Sequence, residues 1–459
     1  MKEFVPAPPP LVQNQFESVK ELFSKYVVPT YARFDLVFTR GEGSYVWDVR
    51  GKRYLDLGGG IAVNCLGHAH AEITQTLVEQ SQRLTHISNL YYHEPQGRLA
   101  QNIVRNLAPG KVFFCNSGGE ADEGLFKLAR RFGHDEGRFE IITALNSFHG
   151  RTLAGISATG QDKVKKGFGP MTPGFVHVPY NDLAAVRAAI TPATAAVLIE
   201  GIQGEGGIIA ATPEYLLGLR ALCDEKKLLL LMDAVQCGHF RTGRYQSFQR
   251  LLESAPGVPP GEGVQMPNAA RPGSEPQTQN ASTRRDAGGT FLPDAVSMAK
   301  SLGGGLPIGA FWVRDRHADL LNAGSHGTTF GGTPLACAVA NKIFEIIERD
   351  GLADNARHTG EFLKSELQRV ADEFPHVITG VHGVGFMIGI ELADKATIPA
   401  LAAHDQAAAT QLVNRLHDAG LLTIPSGTQR VRFLPALNLT RAQASEGAEI
   451  LRRIVKELA

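Results

Sequence analysis

The stretch Asp294-Ala295-Val296-Ser297-Met298-Ala299-Lys300-Ser301-Leu302-Gly303-Gly304-Gly305 is a short apolar run that ends on a lysine and then breaks into glycine. A run of that length, bounded by turn residues, reads as a buried strand whose end is marked by the glycines. The same grammar recurs upstream. Residues 112–115 give way to Asn116-Ser117-Gly118-Gly119, residues 197–199 to Glu200 and Gly201, and residues 228–232 to Asp233. Leu125, Leu128, Ala129 and Phe132 recur at helical spacing, so 120–132 is expected to be a helix lying on those strands. Continuous apolar strands alternating with amphipathic helices specify an α/β fold with a mainly parallel sheet flanked by helices.

Composition bounds what such a fold can be. A chain of 459 residues with 43% hydrophobic and 20% charged side chains buries a large core without disulfide or metal staples. Lys+Arg and Asp+Glu both number 46, which removes the electrostatic case for a general nucleic-acid or anionic-membrane binder. The five cysteines are odd in number and none are spaced CxxC, so reduced thiols, no structural zinc and a cytoplasmic setting are expected. Residues 1–16 are proline-rich and lack the apolar core of a signal peptide, and no apolar run is long enough to span a bilayer.

Around the central strands the pattern changes. Residues 41–56 have hairpin features, and beyond about Leu335 the chain turns helical and then mixed. The expected organisation is an N-terminal arm and part of a small domain (1–75), a large domain (76–335) and the rest of the small α+β domain (336–459). Residues 255–289 hold six prolines and six glycines and no aromatic residue, so they are expected to be a disordered insertion.

Some chemistry is missing from the sequence. It has no GxxxxGK[ST], HExxH or GxSxG motif, and His68 and His70 have no companions to complete a metal site; no metal is expected. What it does have lies at strand ends, where open α/β sheets place their sites. Asn116-Ser117-Gly118-Gly119 before a helix offers free backbone N–H groups and a positive dipole end to a phosphate. Asp233 supplies a strand-end carboxylate, Lys300 an amine, and Phe148 an aromatic face. Phosphate cradle, carboxylate, amine and aromatic are the parts that pyridoxal 5'-phosphate requires: the amine for a Schiff base, the carboxylate to keep the pyridine nitrogen protonated.

With those residues assembled, the chain resembles the class III, fold-type I pyridoxal-phosphate aminotransferases from about Tyr26 onward, apart from the insertion. The resemblance rests on Gly60-Ile61-Ala62-Val63-Asn64, Gly67-His68, the segment from His86 to Tyr92, Phe148-His149-Gly150-Arg151-Thr152, Gln203-Gly204-Glu205-Gly206-Gly207, Arg241-Thr242-Gly243, the Lys300 stretch, His326-Gly327-Thr328-Thr329-Phe330-Gly331-Gly332 and Val431-Arg432-Phe433. It implies that Lys300 carries the cofactor and shuttles the proton, with Asp233 on the pyridine nitrogen. Ser117, Gly118 and Gly119 would hold the phosphate, Phe148 would stack on the ring, and Val235 and Gln236 would complete the contacts. Thr329 would reach the phosphate of a neighbouring copy, which implies a homodimer with a shared site. Arg151, Thr328, Glu205 and Arg432 would meet substrate, Arg432 taking the α-carboxylate of glutamate and Glu205 neutralising that arginine for the other substrate.

Within the family, residues 61–64 and 88–92 favour the branch that transaminates N2-acetylornithine with 2-oxoglutarate, a step of arginine biosynthesis. The succinylornithine, ornithine and 4-aminobutyrate branches share every catalytic part. An aminomutase or racemase, or a cofactor-binding regulator, are more distant readings. The chain departs from the family pattern at Ala234, Gly201 and Gly119, none of which removes a catalytic group.

Overall fold

The computed structural model describes residues 13–253 and 291–459; the expected insertion at 255–289 lies outside the described residues. Seven strands form the central sheet. In spatial order they are Gly110–Cys115, Gly309–Arg314, Ala295–Met298, Leu229–Asp233, Thr194–Glu200, Glu140–Ala144 and Phe175–Val178. Neighbours run parallel except at Gly309–Arg314, which is antiparallel to both strands beside it. The mainly parallel sheet read from the sequence therefore holds, with one reversed strand. The connection after Met298 is about ten residues, shorter than the crossover a parallel partner requires.

Every residue of Thr194–Glu200, Leu229–Asp233 and Ala295–Met298 is buried, which is why these strands read as unbroken apolar runs. The strand period of two splits them between two layers. Leu229, Leu231 and Ala295 pack with Leu125, Leu128 and Ala129 of the helix Gly118–Gly133. Leu230, Met232 and Val296 pack on the other side, in a core with Leu99, Leu216 and Ala340 from the helices Glu94–Asn106, Pro213–Lys226 and Pro334–Arg349. Gly124 lets the helix Gly118–Gly133 lie close against the sheet: a Cβ there would stand 2.2 Å from the Phe311 ring.

The two chain ends meet outside this sheet. Phe38–Glu42, Tyr45–Asp48 and Arg53–Asp56 form an antiparallel meander that Leu421–Leu422 joins in parallel. A second four-stranded sheet holds Ile378–Val384, Met387–Leu392, Arg430–Phe433 and Ile424–Ser426. Leu55 and Leu57 from the front of the chain share one core with Leu363, Leu421, Val431 and Leu451 from the back. That shared core sets Arg432 at the edge of the large sheet's carboxyl end.

Candidate active site

The strand ends converge on a cavity of about 360 Å³. Nine residues singled out by the sequence line it: Ser117, Gly118, Gly119, Phe148, Glu205, Asp233, Val235, Gln236 and Lys300. They come from five separate parts of the chain, and parallel strand order is what brings them together. Asp233 lies in register with Glu200 on one side and Ser297 on the other, and Lys300 follows just after Ser297.

Lys300 is held in a left-handed backbone conformation, φ 47°. A side chain there costs on the order of 1–2 kcal/mol, and such strain gathers at functional positions. The glycine turn opposes it: the Gly303 and Gly304 N–H groups both donate to the Lys300 carbonyl, at 3.0 and 3.1 Å. Burial lowers the Lys300 amine from its ordinary range, and the Arg432 guanidinium adds to this; Glu205, Asp233 and Glu200 pull the other way. An amine so placed spends more time unprotonated than a surface lysine does.

Burial is the largest influence on Asp233 and would raise it, but His149, the Val235 N–H and Asp122 together hold the carboxylate below its usual range. His149 Nδ1 donates to Asp233 Oδ2 at 2.8 Å, and the Val235 N–H donates to Oδ1 at 3.0 Å. Glu200 accepts from the Phe148 N–H at 3.1 Å, and burial together with the charge of Asp233 pushes it up to about 7.

At the other end of the cavity, Ser117 caps the helix Gly118–Gly133 by accepting from the Glu120 N–H at 3.2 Å. The Glu120 carboxylate returns to the Asn116 N–H at 3.0 Å. The Gly118 and Gly119 N–H groups have no partner among the described residues. A Cβ on Gly118 would stand 2.6 Å from the Val235 side chain, whereas one on Gly119 would meet nothing nearer than Ser117 Oγ at 4.0 Å. A glycine-lined helix start with two free donors fits a phosphate. With Phe148 on the wall and an anionic Asp233 and a buried amine at the far side, the residues present fit pyridoxal phosphate.

The remaining sequence candidates are placed as follows. Arg432 is 2% exposed. Its Nη1 donates to Glu205 Oε1 at 2.8 Å and to Gln236 Oε1 at 3.2 Å. Burial works against the Glu205 charge, yet Arg432 holds that carboxylate below its usual range. Arg151 is exposed, with its guanidinium 5.4 Å from the Phe148 ring centre. Thr328 lines a neighbouring cavity, and its hydroxyl accepts from Asn116 Nδ2 at 3.2 Å. Thr329 is exposed and does not line the cavity in the single chain.

Sequence reasoning missed Asp122 and the part played by His149 and Glu200. His149 sat unremarked inside the motif quoted around Phe148, and Glu200 was visible as a strand-end acid like Asp233. Asp122 gave no signal, because a buried aspartate inside a helix is indistinguishable from an exposed one in sequence. The thiol of Cys237, beside the cofactor segment, is buried, accepts from Ser247 Oγ at 3.1 Å and is pushed up to about 11 by burial, which makes it a packing residue. Arg241 is fully buried and donates to the Phe386 and Pro435 carbonyls and to Ser301 Oγ, tying the C-terminal unit to the segment that carries Lys300.

The chain matches the family model "Aminotransferase class-III" over residues 26–258 and 287–455. The chain belongs to the class-III aminotransferases. These enzymes depend on pyridoxal phosphate. This class-III aminotransferase is 40% identical to the acetylornithine aminotransferase of Gloeobacter violaceus, over 96% of this chain and 98% of the relative. It is 39% identical to the succinylornithine transaminase/acetylornithine aminotransferase of Pseudomonas aeruginosa, over 95% and 96%. Among solved structures it is similar to the ornithine aminotransferase of Toxoplasma gondii, with a TM-score of 0.82, 28% identity, and coverage of 96% of this chain and 95% of that one. The aminotransferase fold and the class of reaction are thereby established for this chain.

Proposed function

We propose that this aminotransferase moves the distal amine of N2-acetylornithine to 2-oxoglutarate, giving N-acetylglutamate 5-semialdehyde and glutamate in arginine biosynthesis. The observation that carries this reading is the Glu205–Arg432 ion pair beside the buried Lys300 amine. Two different substrates must use one site in turn. Glutamate presents an α-carboxylate next to the reacting amine and needs a free arginine. The acetylated donor presents a distal amine with no carboxylate beside it, and needs that arginine neutralised. Glu205 is 30% exposed where Arg432 is 2%, so the carboxylate has room to swing away while the guanidinium stays fixed. Arg151, exposed over the Phe148 ring, is placed to take the donor's remaining carboxylate by a bidentate contact.

Pyridoxal phosphate, when bound, supplies an electron sink that stabilises negative charge on the carbon bearing the substrate amine. Ser117, Gly118 and Gly119 would hold its phosphate, Phe148 its ring face, and Asp233 the proton on its ring nitrogen, with Val235 and Gln236 alongside. Lys300 Nζ would anchor it, and the same amine would carry a proton between neighbouring atoms of the substrate. A lowered amine suits that task, since a base must be unprotonated to begin. His149 holds Asp233 in its anionic form throughout.

A homodimer in the cytoplasm completes the reading. Leu90, Tyr92 and Phe330 are 86%, 105% and 64% exposed, and Asn89 Nδ2 ties their two segments together by donating to the Gly331 carbonyl at 2.9 Å. A surface cluster of that kind is suited to a second copy, and Thr329 lies within it. No helix among the described residues is long and apolar enough to cross a membrane. The divisions at 75/76 and 335/336 are kept as working domain limits, supported by the core that the two chain ends share.

The testing experiment is a panel of amino donors with 2-oxoglutarate as acceptor, ranked by kcat/KM. N2-acetylornithine should lead ornithine and 4-aminobutyrate by at least tenfold. Succinylornithine is the second reading, favoured by the double name of the Pseudomonas aeruginosa relative. A lead for unmodified ornithine would reject the proposal.

A further inference from the structure

The floor of the cavity carries a cluster that the reaction as described does not use in full. Asp122 projects from the helix Gly118–Gly133 and is 2% exposed. Ser297 Oγ donates to its Oδ1 at 2.6 Å. Ser297 is the register neighbour of Asp233, and Glu200 is the neighbour on the other side. Three buried carboxyl groups thus share the floor formed by three adjacent strand ends and one helix. Asp122, His149 and Asp233 each bring one side-chain donor or acceptor atom within 4.8 Å of the other two. Each of the Asp122 and Asp233 carboxyls acts on the other's titration, Asp233 pushing Asp122 up and Asp122 helping to hold Asp233 down.

Two bare carboxylates this close together in a buried site repel each other. One must carry a proton, as like charges in a desolvated site do not both ionise. The partners decide which. Asp233 accepts two N–H groups, from His149 and Val235, and both favour its anion. Asp122 accepts only the Ser297 hydroxyl. We propose that Asp122 is a positioning residue that carries a proton and donates it to Asp233, so that the charge of this floor rests on Asp233, facing the cavity.

The surrounding groups agree. Burial and the charges of Asp233 and Glu200 push Asp122 well above the usual carboxylate range. The titratable groups set against it are Asp233, Glu200 and His149 across the floor and the Cys115 thiol on the adjoining strand, with Lys300 lining the same cavity; the Ser297 hydroxyl alone favours its anion by a direct hydrogen bond. His149 Nε2 has no hydrogen-bond partner among the described residues, so the imidazole is spoken for only on its Asp233 side. The proton itself stands on the geometry of this chain. Its consequence for the cofactor, that Asp233 is oriented and its basicity moderated by a neutral acid, rests on the proposed function.

The test is isotope-edited infrared spectroscopy of the full-length enzyme as purified, with 13C in the aspartate side chains. A neutral-acid carbonyl band should persist at neutral pH in the wild type and vanish in Asp122→Asn. Absence of the band in the wild type, or its survival in Asp122→Asn, overturns the proposal. So does a stoichiometric divalent cation in metal analysis, because a cation would then do the work assigned to the proton. A second readout is the visible absorbance of the loaded enzyme titrated with pH. Asp122→Asn keeps an N–H donor and should keep the wild-type midpoint, whereas Asp122→Ala should shift it by about one pH unit, tenfold in proton affinity. Equal shifts in both variants overturn the donor role. Borohydride labelling of Lys300 separates the two claims: a labelled Lys300 without the carbonyl band sinks this inference alone.

Discussion

Arg432 and Glu205 form an ion pair of 2.8 Å in which the arginine is almost wholly buried and the carboxylate is not. The two stand 227 positions apart in the chain, one on the strand Arg430–Phe433 and the other in the glycine-rich turn after Thr194–Glu200. A fixed cation with a movable counter-ion is a switch for charge. Arg432→Lys keeps the charge but loses the planar fork, and it should slow the glutamate half-reaction at least tenfold more than the donor half-reaction in single-turnover measurements. Glu205→Gln should do the reverse. Equal losses in both half-reactions would remove the division of labour.

Lys300 is expected to carry the cofactor. It is a half-buried lysine lining the cavity, and its backbone is held in the left-handed region by the turn that follows. Borohydride reduction and peptide mapping should label it, and Lys300→Ala should lose activity by several orders of magnitude. A label on another lysine would move the site elsewhere.

Cofactor retention is expected to depend on association through the surface around Thr329. Dilution that separates subunits should release pyridoxal phosphate, and Thr329→Ala should weaken its binding about tenfold, the loss of roughly one charge-assisted hydrogen bond. A fully active monomer by light scattering and assay would count against the shared site.

His239 offers a pH test of stability. Its ring is 2% exposed, sits among Phe240, Tyr245 and Phe344, and has no hydrogen-bond partner on either nitrogen among the described residues. Burial, with Arg241 nearby, pushes it down to about 3. The unfolded chain protonates this histidine near pH 6.5 while the folded chain leaves it neutral. Below that pH the unfolded state binds more protons, so stability falls as pH falls, by about 2 kcal/mol at pH 5 from this group. Above pH 7 the group contributes no slope. His239→Phe should flatten the decline between pH 7 and 5 in urea melts relative to wild type, and an unchanged slope would show that the ring is not neutral in the fold.

Asp294 is the counterpart with the opposite sign. It is fully buried and accepts from Arg220 Nη1 at 2.8 Å, Arg316 Nη2 at 2.6 Å and the Leu230 N–H at 2.9 Å. Burial alone would raise it, but His317, Arg220 and the Leu230 N–H hold it well below its ordinary value. A depressed carboxylate contributes stability that is present above the unfolded value of about 3.9 and is lost as pH falls below it. Asp294→Asn leaves Arg220 without its buried partner and should cost about 3 kcal/mol at neutral pH. The gap from wild type should narrow in denaturation curves below about pH 4, and a constant gap would assign the cost to packing instead.

Much of this molecule was legible before folding. The strands that end at Glu200, Asp233 and Met298 announce themselves because burial on both faces demands uninterrupted apolar residues, and the residues at or just past their ends are conspicuous for being polar where the run stops. Lys300, Asp233 and Ser117–Gly119 stand out as candidates in that way, since the chemistry proposed for them depends on a local feature, the end of a strand or the start of a helix. The direction of Gly309–Arg314 was not legible, because strand sense depends on where the chain returns rather than on what it is made of. Nor was the carboxyl cluster of Asp122, Asp233 and Glu200. A side chain's titration and its partners are set by distances between residues far apart in sequence, here 175 positions from Asp122 to Ser297. Amino-acid order determined which groups stand at the ends of strands. Only tertiary packing decided which of those groups face each other without water between them, and therefore which of them keep their charge.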